Sequence, residues 1–176
     1  IFVTLGTGVG GGIVIEGKLL HGAHGSGAEI GHMVINRDET VPCNCGKCGC
    51  VEQYCSATGI VRMAEKHLAA TDEASSLRDI FPLTCKDVFD HAAAGDAVAS
   101  DILEKVYAYL GEFLADLCAV LDPEAVVLGG GVSKAGQPLL DGIARHFPKY
   151  VFHAMSDMKF VLATLGNDAG AYGAFK

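Results

Sequence analysis

The sequence predicts an α/β fold with a mixed sheet. Three observations predict it. Short runs rich in branched residues alternate with long apolar-periodic segments from the middle of the chain onward. The first twenty residues instead read as hairpins, which pair antiparallel. Glycine is abundant, 23 of 176 residues, and clusters after strand-like runs instead of repeating. Half of the residues are hydrophobic, enough for a single core of ordinary size.

Ile1–Leu5 reads as a strand. The run Gly6-Thr7-Gly8-Val9-Gly10-Gly11-Gly12 follows as a turn, then a second strand over Ile13–Glu16. Gly17 turns the chain and Lys18–Leu20 returns. A glycine turn between strands bares backbone N–H groups and can cradle an anion, phosphate above all. No Gly-Lys-Ser/Thr follows, so it is not a Walker loop, and no helix follows, so it is not a Rossmann turn. A plain hairpin with glycines at positive φ explains the run equally well.

His21–Ala28 is a polar loop in which His21 and His24 read as solvated. Glu29 and His32 flank Ile30-Gly31, where a glycine lets both side chains turn to one site. A carboxylate and an imidazole suit the recognition of hydroxyls. Met33–Ile35 resumes as a strand. The stretch from His32 to Glu52 then holds four of the seven cysteines within eight residues, with Pro42, Gly46 and Gly49 excluding regular structure. Zinc takes four ligands from thiolate and imidazole. His32, Cys43, Cys45, Cys48 and Cys50 offer five. Disulfides and free buried thiols are the alternatives, but disulfides belong to oxidising compartments and core-poor domains. Glu52 follows the last of these cysteines, either as a placed carboxylate or as helix-start charge.

Ser56 is a fitting N-cap for a helix to about Ala70, with Ile60, Val61, Ala64 and Leu68 inward. Thr71–Pro82 reads as a connection. Thr84 caps a short helix, Val88–Ala94, which Gly95 stops. Asp96 opens the longest helix, whose apolar positions Ile102, Leu103, Val106, Tyr109, Leu110, Phe113, Leu114, Leu117 and Val120 keep a 3.6-residue period. Asp122-Pro123 ends it. Ala125–Leu128 is a strand, Gly129–Gly131 a second glycine turn, and Pro138–Phe147 a helix, an order that brings bare N–H groups to a ligand. Met158–Thr164 is the last strand, and Asn167 or Asp168 caps a helix over Ala169–Phe175. Cys55, Cys85 and Cys118 fall in helical surroundings as small hydrophobes.

The formal charge is −8 and the isoelectric point about 5.2, without the basic face of a nucleic-acid binder. No apolar run reaches membrane length, since Asp122-Pro123-Glu124 breaks the longest. No secretory signal is visible, and the cytoplasm is the expected location. The chain opens directly on a strand and without Met, so it reads as part of a longer protein.

These motifs resemble the ROK family of sugar kinases and related repressors. The matching residues are Gly6–Gly12, Glu29-Ile30-Gly31-His32, the cysteine run Cys43–Glu52 and Leu128-Gly129-Gly130-Gly131-Val132, in the family's order. Ser56-Ala57-Thr58-Gly59-Ile60 is similar to the glucokinase branch. The resemblance implies an actin-like, ribonuclease-H-like ATPase fold of two lobes, with residues 1–176 as the C-terminal lobe and a zinc-binding loop inserted at 32–52. It implies His32, Cys43, Cys45 and Cys50 as zinc ligands, with Cys48 as an extra thiol. Glu29, His32 and Glu52 match sugar-binding residues, Thr7, Gly8 and Gly10 the phosphate turn, and Gly129, Gly130 and Gly131 the adenosine side. The family's Asp-x-Gly-Gly-Thr motif and the Asn-Asp pair carrying the general base are absent. Asn167-Asp168 lies at the wrong end of the fold to replace the latter. No catalytic residue is therefore expected in this chain, which alone would phosphorylate poorly or not at all. The implied activity is ATP- and Mg-dependent phosphorylation of glucose by the longer protein, as a homodimer with a small-molecule sugar and ATP as partners. N-acetylmannosamine is the runner-up substrate, and the sugar-sensing domain of a ROK repressor is the competing function. A zinc-knotted interaction module leaves Glu29 and Glu52 without a role.

Overall fold

The structure is a computed structural model that describes residues 1–166 and Ala169. Strand β1 (Phe2–Leu5) buries Val3 and Leu5 and turns Phe2 and Thr4 to the other face, as the two-residue period of a strand requires. It pairs antiparallel with β2 (Val9–Gly12) and parallel with β5 (Val126–Gly129), which pairs parallel with β6 (Phe160–Leu162). The order β2-β1-β5-β6 is the mixed sheet expected from a hairpin start and a crossover continuation. A separate small hairpin joins β3 (Val14–Ile15) to β4 (Lys18–Leu19).

Five α-helices accompany the sheet among the described residues: α1 (Glu52–Cys55), α2 (Ala57–Ala70), α3 (Cys85–Ala93), α4 (Ala97–Leu121) and α5 (Gln137–His146). The caps act as the sequence suggests. Ser56 accepts from the Gly59 N–H, Thr84 and Asp87 form a reciprocal capping box, and Asp96 accepts from the Ala99 N–H. Helix α4 is the core element, burying Ile102, Val106, Leu110, Phe113, Leu114 and Leu117 among others. It packs against α5 at small residues, where a Cβ on Gly142 would meet the Tyr107 ring. Asp122 closes α4 in the left-handed region at φ 42°, ahead of Pro123.

Several expectations are corrected. The run Gly6–Gly12 is not one turn. Gly10, Gly11 and Gly12 lie in β2, and only Gly6-Thr7-Gly8 turns. These glycines serve close approach, since a Cβ on Gly11 would overlap Ile30. The strand expected over Ile13–Glu16 shrinks to Val14–Ile15. Met33–Ile35 forms no strand and contributes only an isolated pairing of Val34 with Cys50, because the cysteine loop takes its hydrogen bonds. The connection Thr71–Pro82 contains a 3₁₀ turn at Ser76–Asp79, and α3 starts at Cys85, three residues early. A 3₁₀ turn, Val132–Ala135, separates the second glycine turn from α5, so that helix does not open on the glycines. Val120 is 81% exposed, on the outer face of the last turn of α4. The cap at Asn167 or Asp168 and the helix over 169–175 lie outside the described residues, apart from Ala169. Among the described residues no helix is long and apolar enough to cross a membrane.

Candidate metal centre and adjoining clefts

The cysteine loop closes through two glycines. Gly46 and Gly49 take φ of 87° and 77°, which side chains other than glycine rarely accept. Gly49 also presses on the Asn36 carbonyl, where a Cβ would overlap it. The Cys43 N–H donates to Lys47 O (2.7 Å), and the Gly46 N–H donates to Cys43 O (2.9 Å). The Ile35 N–H donates to Gly49 O and the Val51 N–H to Met33 O, which ties the loop's entrance to its exit.

This knot brings together His32, Cys43, Cys45 and Cys50, whose ligand atoms all lie within 4.8 Å of one another. Cys45 Sγ is 3.5 Å from Cys50 Sγ, and Cys43 Sγ is 3.7 Å from His32 Nδ1. Tetrahedral zinc with sulfur at ~2.3 Å separates its ligand atoms by roughly 3.5–3.8 Å, so three thiolates and an imidazole in this arrangement fit the ion. Cys48 turns away, its thiol directed to Thr40 O at 3.7 Å. Burial and the neighbouring thiols push the Cys50 thiol up to about 12, and burial raises Cys43. The Lys47 backbone N–H leads in lowering Cys45. A central cation would supply the charge that holds such buried groups as thiolates.

Glu52, the first residue of α1, joins this centre to the first glycine turn. Its Oε2 accepts from the Val9 N–H (3.3 Å), its Oε1 accepts from the Cys43 thiol (3.4 Å), and Oε1 is 3.9 Å from His32 Nδ1. Gly8 permits this, because a Cβ there would collide with Oε2. A cleft of about 320 Å³ opens beside it, walled by Thr7, Gly8, Cys43, Glu52, Thr58 and Arg62 among others.

The expected sugar residues divide. Glu52 lines this cleft. His32 directs Nδ1 into the thiol cluster, and neither it nor the exposed Glu29 belongs to the cleft wall. Of the expected phosphate turn, Thr7 and Gly8 line the cleft and Gly10 does not. Gly10 is a strand residue packed on Thr4, where a Cβ would meet Thr4 Oγ1. Gly129 and Gly130 line a second cleft of about 360 Å³ with Ser133, Lys134 and Thr164. Gly131 lines a third, largely apolar, of about 440 Å³ with Ala57, Phe89 and Val132. Lys134 borders both. Sequence reading missed Lys134 and Arg62, since a cation on a helical turn carries no local signal of what it faces.

A family model described as "ROK family" matches residues 1–176. The chain belongs to the ROK family. It is 47% identical to a glucokinase of Halalkalibacterium halodurans over 98% of its own length and 54% of that relative's. It is 34% identical to an N-acetylmannosamine kinase of Escherichia coli, over 99% of this chain and 54% of that one. Among solved structures, a ROK glucokinase of Streptomyces griseus in complex with glucose and AMPPNP superposes with a TM-score of 0.85 at 37% identity, covering 98% of this chain and 58% of that one. The mixed sheet is thus that of the actin-like ATPase fold in ROK sugar kinases. The chain spans about half the length of the curated ROK relatives it matches.

Proposed function

We propose that the complete ROK protein carrying residues 1–176 is an ATP-dependent hexose kinase acting on glucose. The observation that carries this reading is the position of Glu52, whose carboxylate lies between the Thr7-Gly8 turn and the His32–Cys43–Cys45–Cys50 cluster. A carboxylate held by the Val9 N–H beside the metal cluster suits a sugar hydroxyl, and a glycine turn next to it suits a transferred phosphate. In this reading zinc, when bound, is a structural cross-link that holds the thiolates and fixes the His32 ring, leaving Nε2 for a hydroxyl. Glu29, exposed three residues before His32, contributes a second acceptor in this reading. Gly129, Gly130 and Gly131, which line the two further clefts, would border the nucleotide, supplied as Mg-ATP.

Phosphoryl transfer depends chiefly on positioning and charge stabilisation, with a base to take the hydroxyl proton. That base is proposed to lie outside residues 1–176. Residues 1–176 then act as the C-terminal lobe, holding the sugar, excluding water from one side of it and receiving the nucleotide. The reading implies a cytoplasmic homodimer, where thiols stay reduced and Mg-ATP is at hand.

Phosphorylation by the complete protein, measured with Mg-ATP on glucose and on N-acetylmannosamine, tests this. Turnover with the higher kcat/KM on glucose supports the reading, and a reversed preference makes it an N-acetylmannosamine kinase. Sugar binding without turnover on either would contradict the kinase reading in favour of a sugar-sensing regulator. Glu52→Gln should lower kcat/KM on the preferred sugar by about 100-fold, the loss expected for a charge-assisted hydroxyl contact.

A further inference from the structure

The arm that enters the cysteine loop, residues 36–42, is held by a polar network with no metal ligand in it. Its centre is Glu39, whose side chain is 6% exposed. Glu39 Oε2 accepts from the Tyr54 hydroxyl (2.7 Å) and from Arg62 Nη2 (3.1 Å). Oε1 accepts from the backbone N–H groups of Thr40 (3.1 Å) and Val41 (3.0 Å). The partners are themselves fixed. Asn36 Nδ2 donates to the Tyr54 hydroxyl (3.0 Å), Arg62 Nη2 also donates to Gln53 O (3.0 Å), and Gln53 Nε2 donates to Val41 O (2.9 Å). The Tyr54 ring packs at a 44° tilt, 4.8 Å between centroids, against Tyr109 of α4, with the Arg62 guanidinium over its face at 5.3 Å.

We propose that Glu39 is a positioning residue for the cleft: through Tyr54 and Arg62 it pins the loop's entering arm to α1 and α2, so that Cys43 and the Pro42–Asn44 wall stand opposite Glu52. The network's reach supports this. Tyr54 and Gln53 follow Glu52 on α1, Arg62 lines the cleft, and Val41 leads through Pro42 into ligand Cys43. The Tyr54 hydroxyl, Val41 N–H and Arg62 hold the Glu39 carboxyl near 2, so the pair stays charged at neutral pH. Arg62 depends on it in turn. Its Nε is buried without a partner among the described residues, so removing the Glu39 charge leaves that guanidinium poorly satisfied at the cleft wall. The inference rests on the sugar-site reading for its consequence in turnover, but not for its consequence at the metal.

The test uses the complete, zinc-loaded protein and two variants, Glu39→Gln and Tyr54→Phe. Zinc release to a chromogenic chelator should quicken by about tenfold in Glu39→Gln, as for loss of a group that orients a ligand. Tyr54→Phe should release zinc faster by a smaller factor, and the double variant no faster than Glu39→Gln alone, because the residues act as one unit. In turnover, the sugar KM should rise with kcat nearly unchanged in both variants. A residue that only adds stability would lower the melting temperature and leave zinc release and KM alone, and that result overturns the proposal. If Glu39→Gln does not fold, Tyr54→Phe decides: release at the wild-type rate overturns the proposal, and faster release supports it. If no sugar is phosphorylated, the kinase reading fails and the zinc measurement still decides this one.

Discussion

Gly8 and Cys48 are the two residues whose substitution separates the roles argued above. Gly8 is needed for space, since any side chain there drives Glu52 off its bond to the Val9 N–H. Gly8→Ala should therefore lower kcat/KM for the sugar by about 100-fold, the scale of a misplaced contact near the reacting atoms, while zinc content stays at the wild-type level. Cys48 was one of five candidate ligands in the sequence, and spacing alone could not separate it from Cys45 or Cys50. Its backbone pairs with Pro42, and its thiol faces Thr40. Cys48→Ser should retain zinc and Cys50→Ser should lose it, read as metal per chain by mass spectrometry. The reach of the sequence is clear at this scale. The cluster could be seen in composition, and so could Glu52 beside it. The Glu39 network could not, because Glu39, Tyr54 and Arg62 meet only once the loop lies across α1 and α2.

At the scale of elements, helix boundaries were legible wherever a cap signalled them. Ser56 and Asp96 sit at the predicted starts, and Thr84 is the predicted cap although α3 begins at Cys85, ahead of the expected Val88. The strands near the glycines were not legible, because glycine is a poor strand former and reads as a turn until the Ile30 side chain that crosses it is seen. Asp96 does more than cap α4. Its carboxylate also accepts from the Ser76 N–H (2.6 Å) and the hydroxyls of Ser75 and Ser76, which anchors the 3₁₀ turn before α3. Burial opposes its charge, but these bonds outweigh burial and bring the carboxyl from its ordinary 3.8 down to about 2. The folded value lies below the unfolded one, so the stabilisation is complete above about pH 4 and fades as the pH falls towards 2. Asp96→Asn should flatten that limb of stability against pH in denaturant titrations. Gly142→Ala, which drives a methyl into the Tyr107 ring between α5 and α4, should cost about 1–3 kcal/mol of unfolding free energy.

For the whole molecule, three features converge on one edge of the fold. The Thr7-Gly8 turn leaves the end of β1, the Gly129–Gly131 turn leaves the end of β5 beside it, and the cysteine loop closes over the first of them. Because β1 and β5 run parallel, both turns emerge on the same side, as ligand-binding α/β sheets require. In the proposed reading, zinc held by the His32–Cys43–Cys45–Cys50 cluster would make the cleft wall depend on a site whose one proposed sugar contact is His32. Sugar affinity measured by calorimetry on the complete protein, zinc-loaded and then zinc-stripped, tests this dependence most directly. About one zinc per chain is expected, with the glucose Kd raised at least about tenfold on stripping and restored when zinc is returned. A stripped protein that stays folded and binds glucose as tightly as the loaded one would contradict it.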